Sequence, residues 1–160
     1  MTSADIHFET PNVERPKTVL VFGVFDLLHP GHVFFLERAK RQGDRLIAVV
    51  CRDDRAESSK GRRPVLSLEE RLKLVRALRS VDEAVPGDPP GEWSAIVRCR
   101  PDIICLGFDQ SADHSEIRRQ LHALSRIPKV VKLPRRDGEK LSSSVIRQRL
   151  LDRVEPPNVD

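Results

Sequence analysis

Apolar residues along the chain fall into blocks of two kinds, and the alternation between them predicts the fold. Thr18 to Phe25 (T-V-L-V-F-G-V-F) is an unbroken apolar run rich in β-branched residues, the pattern of a strand buried on both faces. Leu46 to Cys51 repeats it, and Val81 to Val85, Ile103 to Gly107 and Val130 to Leu133 are shorter versions. Helical spacing fills the gaps. His32 to Gln42 is helical and Gly43 supplies its stop. Ser67 opens a helix with a capping box, Glu70 following three residues later. Leu68, Leu72 and Val75, with Leu74 and Leu78, give that helix an apolar face. Glu92 to Arg98 predicts a short helix packing Trp93, Ile96 and Val97, and Pro101 separates it from the next strand. Ser115 to Ser125 predicts a helix with Ile117, Leu121 and Leu124 inward, and Ser142 to Leu151 the last one. Asp53 to Pro64, polar and basic, and Gly87 to Gly91 are expected to be loops.

Strands separated by helices pair in parallel, with helices on both faces. The expected fold is α/β: a doubly wound, five-stranded, Rossmann-like parallel sheet in the order 3-2-1-4-5, spanning residues 17–152. No internal repeat is visible. Residues 1–16 hold two prolines and no periodicity and are expected to form a flexible arm; residues 153–160 are expected to be a tail.

Composition narrows the function. Hydrophobic residues make up 39% and charged residues 32%, an ordinary soluble balance. No apolar run approaches the ~18 residues of a membrane span, and residues 1–16 lack a secretory core segment, so the cytoplasm is expected. The 3 cysteines, Cys51, Cys99 and Cys105, show no C-x-x-C spacing, which argues against a disulfide framework or zinc knuckle. Cys51 and Cys105 end apolar runs and are expected to be buried. A net charge of +4 suits an anionic small molecule and is mild for a nucleic-acid binder. With aromatics at 4% and Tyr absent, stacking platforms for nucleic acid are scarce. A non-catalytic nucleotide- or RNA-binding module is therefore the remote alternative to an enzyme.

Ligands of such sheets sit beyond the carboxyl ends of the strands. After the first strand comes G-V-F-D-L-L-H-P-G-H, Gly23 to His32. Gly23 lets the backbone approach a ligand closely, with Val24, Phe25 and Asp26 beside it. His29 and His32 bracket Pro30 and Gly31 at the mouth of a helix, whose free N–H groups and positive end form a seat for phosphate. Imidazoles there can donate to phosphate oxygens, with most value where charge builds in a transition state. The pair could also ligate a metal, but no third ligand lies at a suggestive spacing. The string is not G-x-G-x-x-G, so a dinucleotide fingerprint is not supported.

After the second strand the chain ends a basic stretch with K-G-R-R-P. Lys60, beside a glycine on a mobile loop, can close over a triphosphate; Arg62 and Arg63 are balanced between that role and a solvated charge run. After the fourth strand, Gly107, Asp109 and Gln110 of G-F-D-Q offer groups to a base or an acceptor, although the string is also a plain turn signal. After the fifth come Arg135 and Arg136, then Ser142, Ser143 and Ser144 at a helix start, a second anion seat. Capping needs only one serine; three beside two arginines, at the histidines' edge, favour phosphate.

These strings together resemble the cytidylyltransferase-like nucleotidyltransferase superfamily. G-V-F-D-L-L-H-P-G-H carries its H-x-G-H signature. K-G-R-R-P-V-L-S-L-E-E-R-L-K-L-V-R-A-L-R-S-V-D-E-A-V is similar to its second block, and L-P-R-R-D-G-E-K-L-S-S-S-V-I-R to its C-terminal R-T-E-G-I-S-T-T block with two extra residues. The resemblance spans about Val19 to Leu150. It implies in-line attack of an acceptor phosphate on the α-phosphate of a nucleoside triphosphate, release of pyrophosphate and no covalent enzyme intermediate. His29 and His32 would stabilise the transition state and the departing pyrophosphate, and Lys60 would contact the triphosphate. Arg71 falls on the family's helix arginine near the active site. Arg135 or Arg136 would hold the β- and γ-phosphates, with Ser142 to Ser144 closing the seat. Val24 stands where many members have a hydroxyl residue, which removes a side-chain contact. Mg²⁺ is implied for charge neutralisation, held mainly by the nucleotide with Asp26 a candidate helper. No tightly bound organic cofactor is implied, and homodimers are common among members.

Within the superfamily, C-R-D-D after the second strand and P-D-I-I-C-L-G-F-D-Q around the fourth are most similar to archaeal-type FAD synthases, which adenylylate FMN with ATP. R-R-D-G-E-K-L-S-S-S leans instead toward the glycerol-3-phosphate cytidylyltransferases. Adenylyl transfer to FMN is the favoured expectation, and cytidylyl transfer to a polyol or sugar phosphate the alternative.

Overall fold

The computed structural model describes residues 15–89, 92, 94–110, 121, 127–138 and 141–153. Its strands are β1 (Thr18–Gly23), β2 (Arg45–Val50), β3 (Glu83–Pro86), β4 (Ile103–Leu106) and β5 (Lys129–Lys132). They form one sheet in the order β3-β2-β1-β4-β5, every pairing parallel, which is the expected order. The described helices are α1 (Pro30–Lys40), α2 (Asp53–Lys60), α3 (Leu68–Arg76), α4 (Ser94–Cys99) and α5 (Ser143–Leu151). β1 lies between β2 and β4, so the winding reverses at β1 and its carboxyl end is the switch point.

The apolar runs are continuous because each strand feeds two cores. Val19 and Val21 of β1, with Leu46, Ala48 and Val50 of β2, pack one face against Leu36 and Ala39 of α1 and Leu72 and Val75 of α3. Leu20, Ile47, Val49, Ile104 and Leu106 pack the other face against Ala95 and Ile96 of α4 and Leu121. Alternate residues thus face opposite layers, as the pleat requires.

Several expectations shift. The stretch Asp53 to Pro64, expected to be a loop, contains α2. Its period is hard to see because only Ala56 is buried. Its ends are nonetheless marked: Asp53 and Asp54 suit the positive N-terminus, and Gly61 (φ 68°) takes the left-handed C-cap that favours glycine. α3 opens on the expected Ser67–Glu70 capping box, but Leu74 is 42% exposed and Arg71 is buried in its place. In α4, Ile96 is buried as expected while Val97 faces solvent. Cys105 is fully buried, whereas Cys51 is only half-buried. The helix expected over Ser115 to Ser125 lies outside the described residues except Leu121, as does Trp93. The arm and tail lie outside them too, save at their inner ends. There, Arg15 donates to the Asp102 carboxylate at 2.6 and 3.1 Å.

Candidate active site

The chain leaves β1 in a turn with two non-glycine residues at positive φ, Phe25 (52°) and Leu27 (48°). Each such residue costs about 1–3 kcal/mol, so the surroundings must hold them. The Phe25 ring is buried, 2% exposed. A Cβ at Gly23 would stand 2.7 Å from that ring, so the missing side chain at Gly23 makes room for Phe25, beside the cavity that Gly23 also lines.

Asp26, between the two strained residues, is a brace. Its carboxylate accepts from the N–H groups of Val65 (3.0 Å) and Leu66 (3.1 Å) and from the Arg147 guanidinium (3.1 Å). Its carbonyl accepts from the Ser143 hydroxyl. One residue therefore ties the β1–α1 turn to the segment before α3 and to the start of α5. Both carboxylate oxygens accept bonds from the protein. Among the described residues, no group of three or more His, Cys, Asp or Glu side chains is placed to share an ion.

His29 is the N-cap of α1, and its Nδ1 accepts from the Gly31 N–H at 3.1 Å. Its proton is accordingly carried on Nε2. The N–H groups of His32 and Val33 bond to the His29 carbonyl, and Pro30 has none. The first-turn donors expected to seat phosphate are thus already used, and the imidazoles take over that surface. The two rings stack with centroids 3.9 Å apart, and His32 also meets the Phe25 ring edge at 5.5 Å. His32 Nδ1 is buried without a partner among the described residues.

Burial first, then the neighbouring His29 and Lys60, push the His32 pKa down from 6.5 to about 3. It is a neutral N–H donor at neutral pH. The sign of the linked stability follows: between pH 6.5 and about 3 the unfolded chain binds the extra proton. This contribution is complete above pH 6.5 and is lost as pH falls. Urea unfolding of the ligand-free protein is expected to lose about 1–2 kcal/mol from this group between pH 7 and pH 5. His32→Asn should flatten that part of the slope; equal slopes would overturn the assignment.

Lys60 is the last residue of α2, not part of a loop, and it is near enough to lower the His32 pKa. Arg62 donates to the Ser144 hydroxyl at 2.6 Å, which joins this segment to α5 and moves Arg62 from even odds into the site. Arg63 pairs with Glu57 at 2.7 Å and also lines the cavity. Arg71 is fully buried. Its guanidinium donates to the carbonyls of Leu66 (3.0 Å), Val24 (2.6 Å) and Cys51 (2.8 Å) and to the Asp53 carboxylate. It is absent from the cavity wall, so the expected nucleotide contact is corrected to a supporting role: four acceptors consume its planar fork.

Across β1, Gln110 folds back, its Oε1 accepting from Gly107 N–H at 2.9 Å and its Nε2 donating to the Phe22 carbonyl at 2.7 Å. This clamps the ends of β1 and β4 rather than leaving the amide to a ligand. The Arg135 guanidinium lies 5.0 Å from the Phe108 ring centroid. Ser142 caps α5 by accepting from Val145 N–H at 3.2 Å. The three serines therefore divide three tasks: cap, brace to Asp26 and anchor for Arg62.

One cavity of about 580 Å³ gathers these groups, within the range of small-molecule sites. Its wall includes Gly23, Val24, Phe25, Asp26, His29, Gly31, His32, Lys60, Gly107, Asp109, Gln110, Arg135, Arg136, Ser142, Ser143 and Ser144. Every candidate residue except Arg71 is brought together. Sequence reasoning missed Phe108 and Arg147, which also line it. Arg147 could have been found from helix spacing, since residues three and four positions after Ser144 and Ser143 share their face.

A family model described as cytidylyltransferase-like matches residues 20–149. An FAD synthase of Picrophilus torridus is 40% identical over 134 residues, covering 84% of this chain and 96% of the relative. An FAD synthase of Methanoculleus marisnigri is 39% identical over 140 residues, covering 88% and 93%. Among solved structures, a protein of Thermoplasma volcanium described as a lipopolysaccharide core biosynthesis protein superposes with a TM-score of 0.71 at 35% identity, covering 76% of this chain and 99% of that one.

Proposed function

This chain belongs to the cytidylyltransferase-like family, and from that premise we propose that it is an FAD synthase, transferring AMP from ATP to FMN. It is a nucleotidyltransferase; the acceptor, the base and the residue roles are the proposal. The supporting observation is the shared cavity, in which two imidazoles, Lys60, Arg136 and the Ser142–Ser144 turn meet at the carboxyl end of β1. The FAD synthase relatives match nearly their whole length.

In this reading an FMN phosphate oxygen attacks the α-phosphorus of ATP. The new P–O bond completes the diphosphate of FAD. The bond from the α-phosphorus to the α–β bridging oxygen breaks, and that oxygen leaves with pyrophosphate. No proton need be removed, because the attacking phosphate is already an anion. His32, as a neutral N–H donor, and His29, beside it, act on the charge that grows on the phosphoryl oxygens. Lys60, Arg136 and Arg147 balance the triphosphate. Mg²⁺, brought with the nucleotide, would supply further charge neutralisation beside these cations. The absence of a helix long and apolar enough to cross a membrane among the described residues fits action on soluble substrates in the cytoplasm.

The test is a pyrophosphate-release assay with Mg²⁺, pairing ATP or CTP with FMN or glycerol 3-phosphate. Turnover with ATP and FMN, with FAD as product, is expected. Turnover with CTP and glycerol 3-phosphate while ATP and FMN stay silent would overturn the substrate assignment.

A further inference from the structure

We propose that Phe108, backed by Arg135, is a stacking platform for the purine of the nucleoside triphosphate and the residue that favours ATP over CTP. The inference rests on the nucleotidyl-transfer reading above and adds a contact that reading does not contain. Phe108 is 45% exposed, in a chain with 4% aromatics. It is one of the residues that line the cavity. Arg135 sits over the ring at 5.0 Å, in cation–π range, and fixes its plane.

Location selects the ligand. Phe108 follows β4, and Arg135 lies on the connection from β5 to α5, which also carries Ser142–Ser144. In this proposal a triphosphate held between the histidines and that turn has its nucleoside end beside Phe108. Gln110 is committed to Gly107 and Phe22, so the side-chain amide is poorly placed to read the base edge. Recognition then falls on the ring face. Stacking tolerates any base but grows with overlap, and a bicyclic purine overlaps a phenyl ring more than a pyrimidine does. The same geometry divides the two arginines: Arg135 backs the ring, while Arg136 lines the main cavity and also the groove beside His29, on the phosphate side.

The test is calorimetric binding to the full chain, without acceptor, of α,β-methylene-ATP, α,β-methylene-CTP and tripolyphosphate, alongside FMN binding. Phe108→Ala is expected to weaken the ATP analogue about 10–100-fold, narrow the ATP-to-CTP preference and leave tripolyphosphate within about two-fold. Phe108→Tyr, which keeps a ring, should restore ATP binding. Arg136→Ala should weaken tripolyphosphate and the ATP analogue alike. Unchanged ATP binding in Phe108→Ala, an equal loss for tripolyphosphate, or a loss confined to FMN would each overturn the platform. The two readings fail separately: wild-type protein that binds the ATP analogue but makes no FAD sinks the proposed acceptor alone. Protein that makes FAD while Phe108→Ala binds ATP normally sinks the platform alone.

Discussion

His32→Ala is expected to lower kcat for FAD formation by about 10²–10³-fold while changing the KM for ATP by less than about ten-fold. The asymmetry comes from where the side chain stands. Its Nδ1 is buried with no partner among the described residues, so removing the ring breaks no hydrogen bond seen at that atom. Its surroundings hold it neutral, so its attraction for the ground-state triphosphate is weak. A fixed neutral N–H gains most when negative charge concentrates on the oxygens it faces, which happens at the transition state. His29 is the harder residue to test, because it also caps α1 through Gly31 N–H. His29→Asn is the informative change, since asparagine is a strong N-cap. It should keep the fold and still lose activity. Steady-state kinetics with ATP varied at saturating FMN separates the outcomes. A rise in KM with kcat intact would mean uniform binding and would remove both histidines from the chemistry.

How much of this was legible in the sequence depends on the kind of signal. The sheet was legible because its strands are buried on both faces, and Val19 to Val21 or Leu46 to Val50 cannot be anything but interior. The histidines and serines were legible because they follow strands at a switch point, where topology alone assigns them to one rim. α2 was not: a helix with one buried residue has no apolar period, and only its end residues betray it. The working parts of Asp26 and Arg71 were hidden for a different reason. Both are charged residues that bond mainly to backbone N–H and carbonyl groups distant in sequence, and such partners leave no mark on residue type. Leu74 and Arg71 show the same effect in reverse. The four-residue spacing to Leu78 invited Leu74 inward, but it is exposed, whereas Arg71 is buried among carbonyls that need donors. Phe108 escaped because G-F-D-Q looks like a turn until Arg135, far along the chain, is seen above the ring.

Arg71→Ala is expected to be the most destabilising single change in the domain, at about 3–5 kcal/mol, or roughly 10–15 °C in Tm. The guanidinium is wholly buried and satisfies three carbonyls and a carboxylate from three separate segments. Removing it strands the carbonyls of Val24, Cys51 and Leu66 in the interior, each a desolvation cost of about 1–3 kcal/mol unless water enters. Arg71→Lys keeps the charge but not the fork. An ammonium cannot span acceptors spread along the guanidinium edge, so it should recover less than half of the loss. Activity should fall for a traceable reason. Arg71 holds Asp53 at the start of α2, and Lys60 ends the same helix, so freeing one end lets the other drift. At a temperature where Arg71→Lys is still folded, the KM for ATP should rise, while His32, which belongs to α1, keeps by NMR titration the larger part of its pKa depression, which comes first from burial, and loses only the part due to Lys60. A variant that melts like wild type would show that the four bonds do not form in solution, and would return Arg71 to the list of residues free to meet the nucleotide.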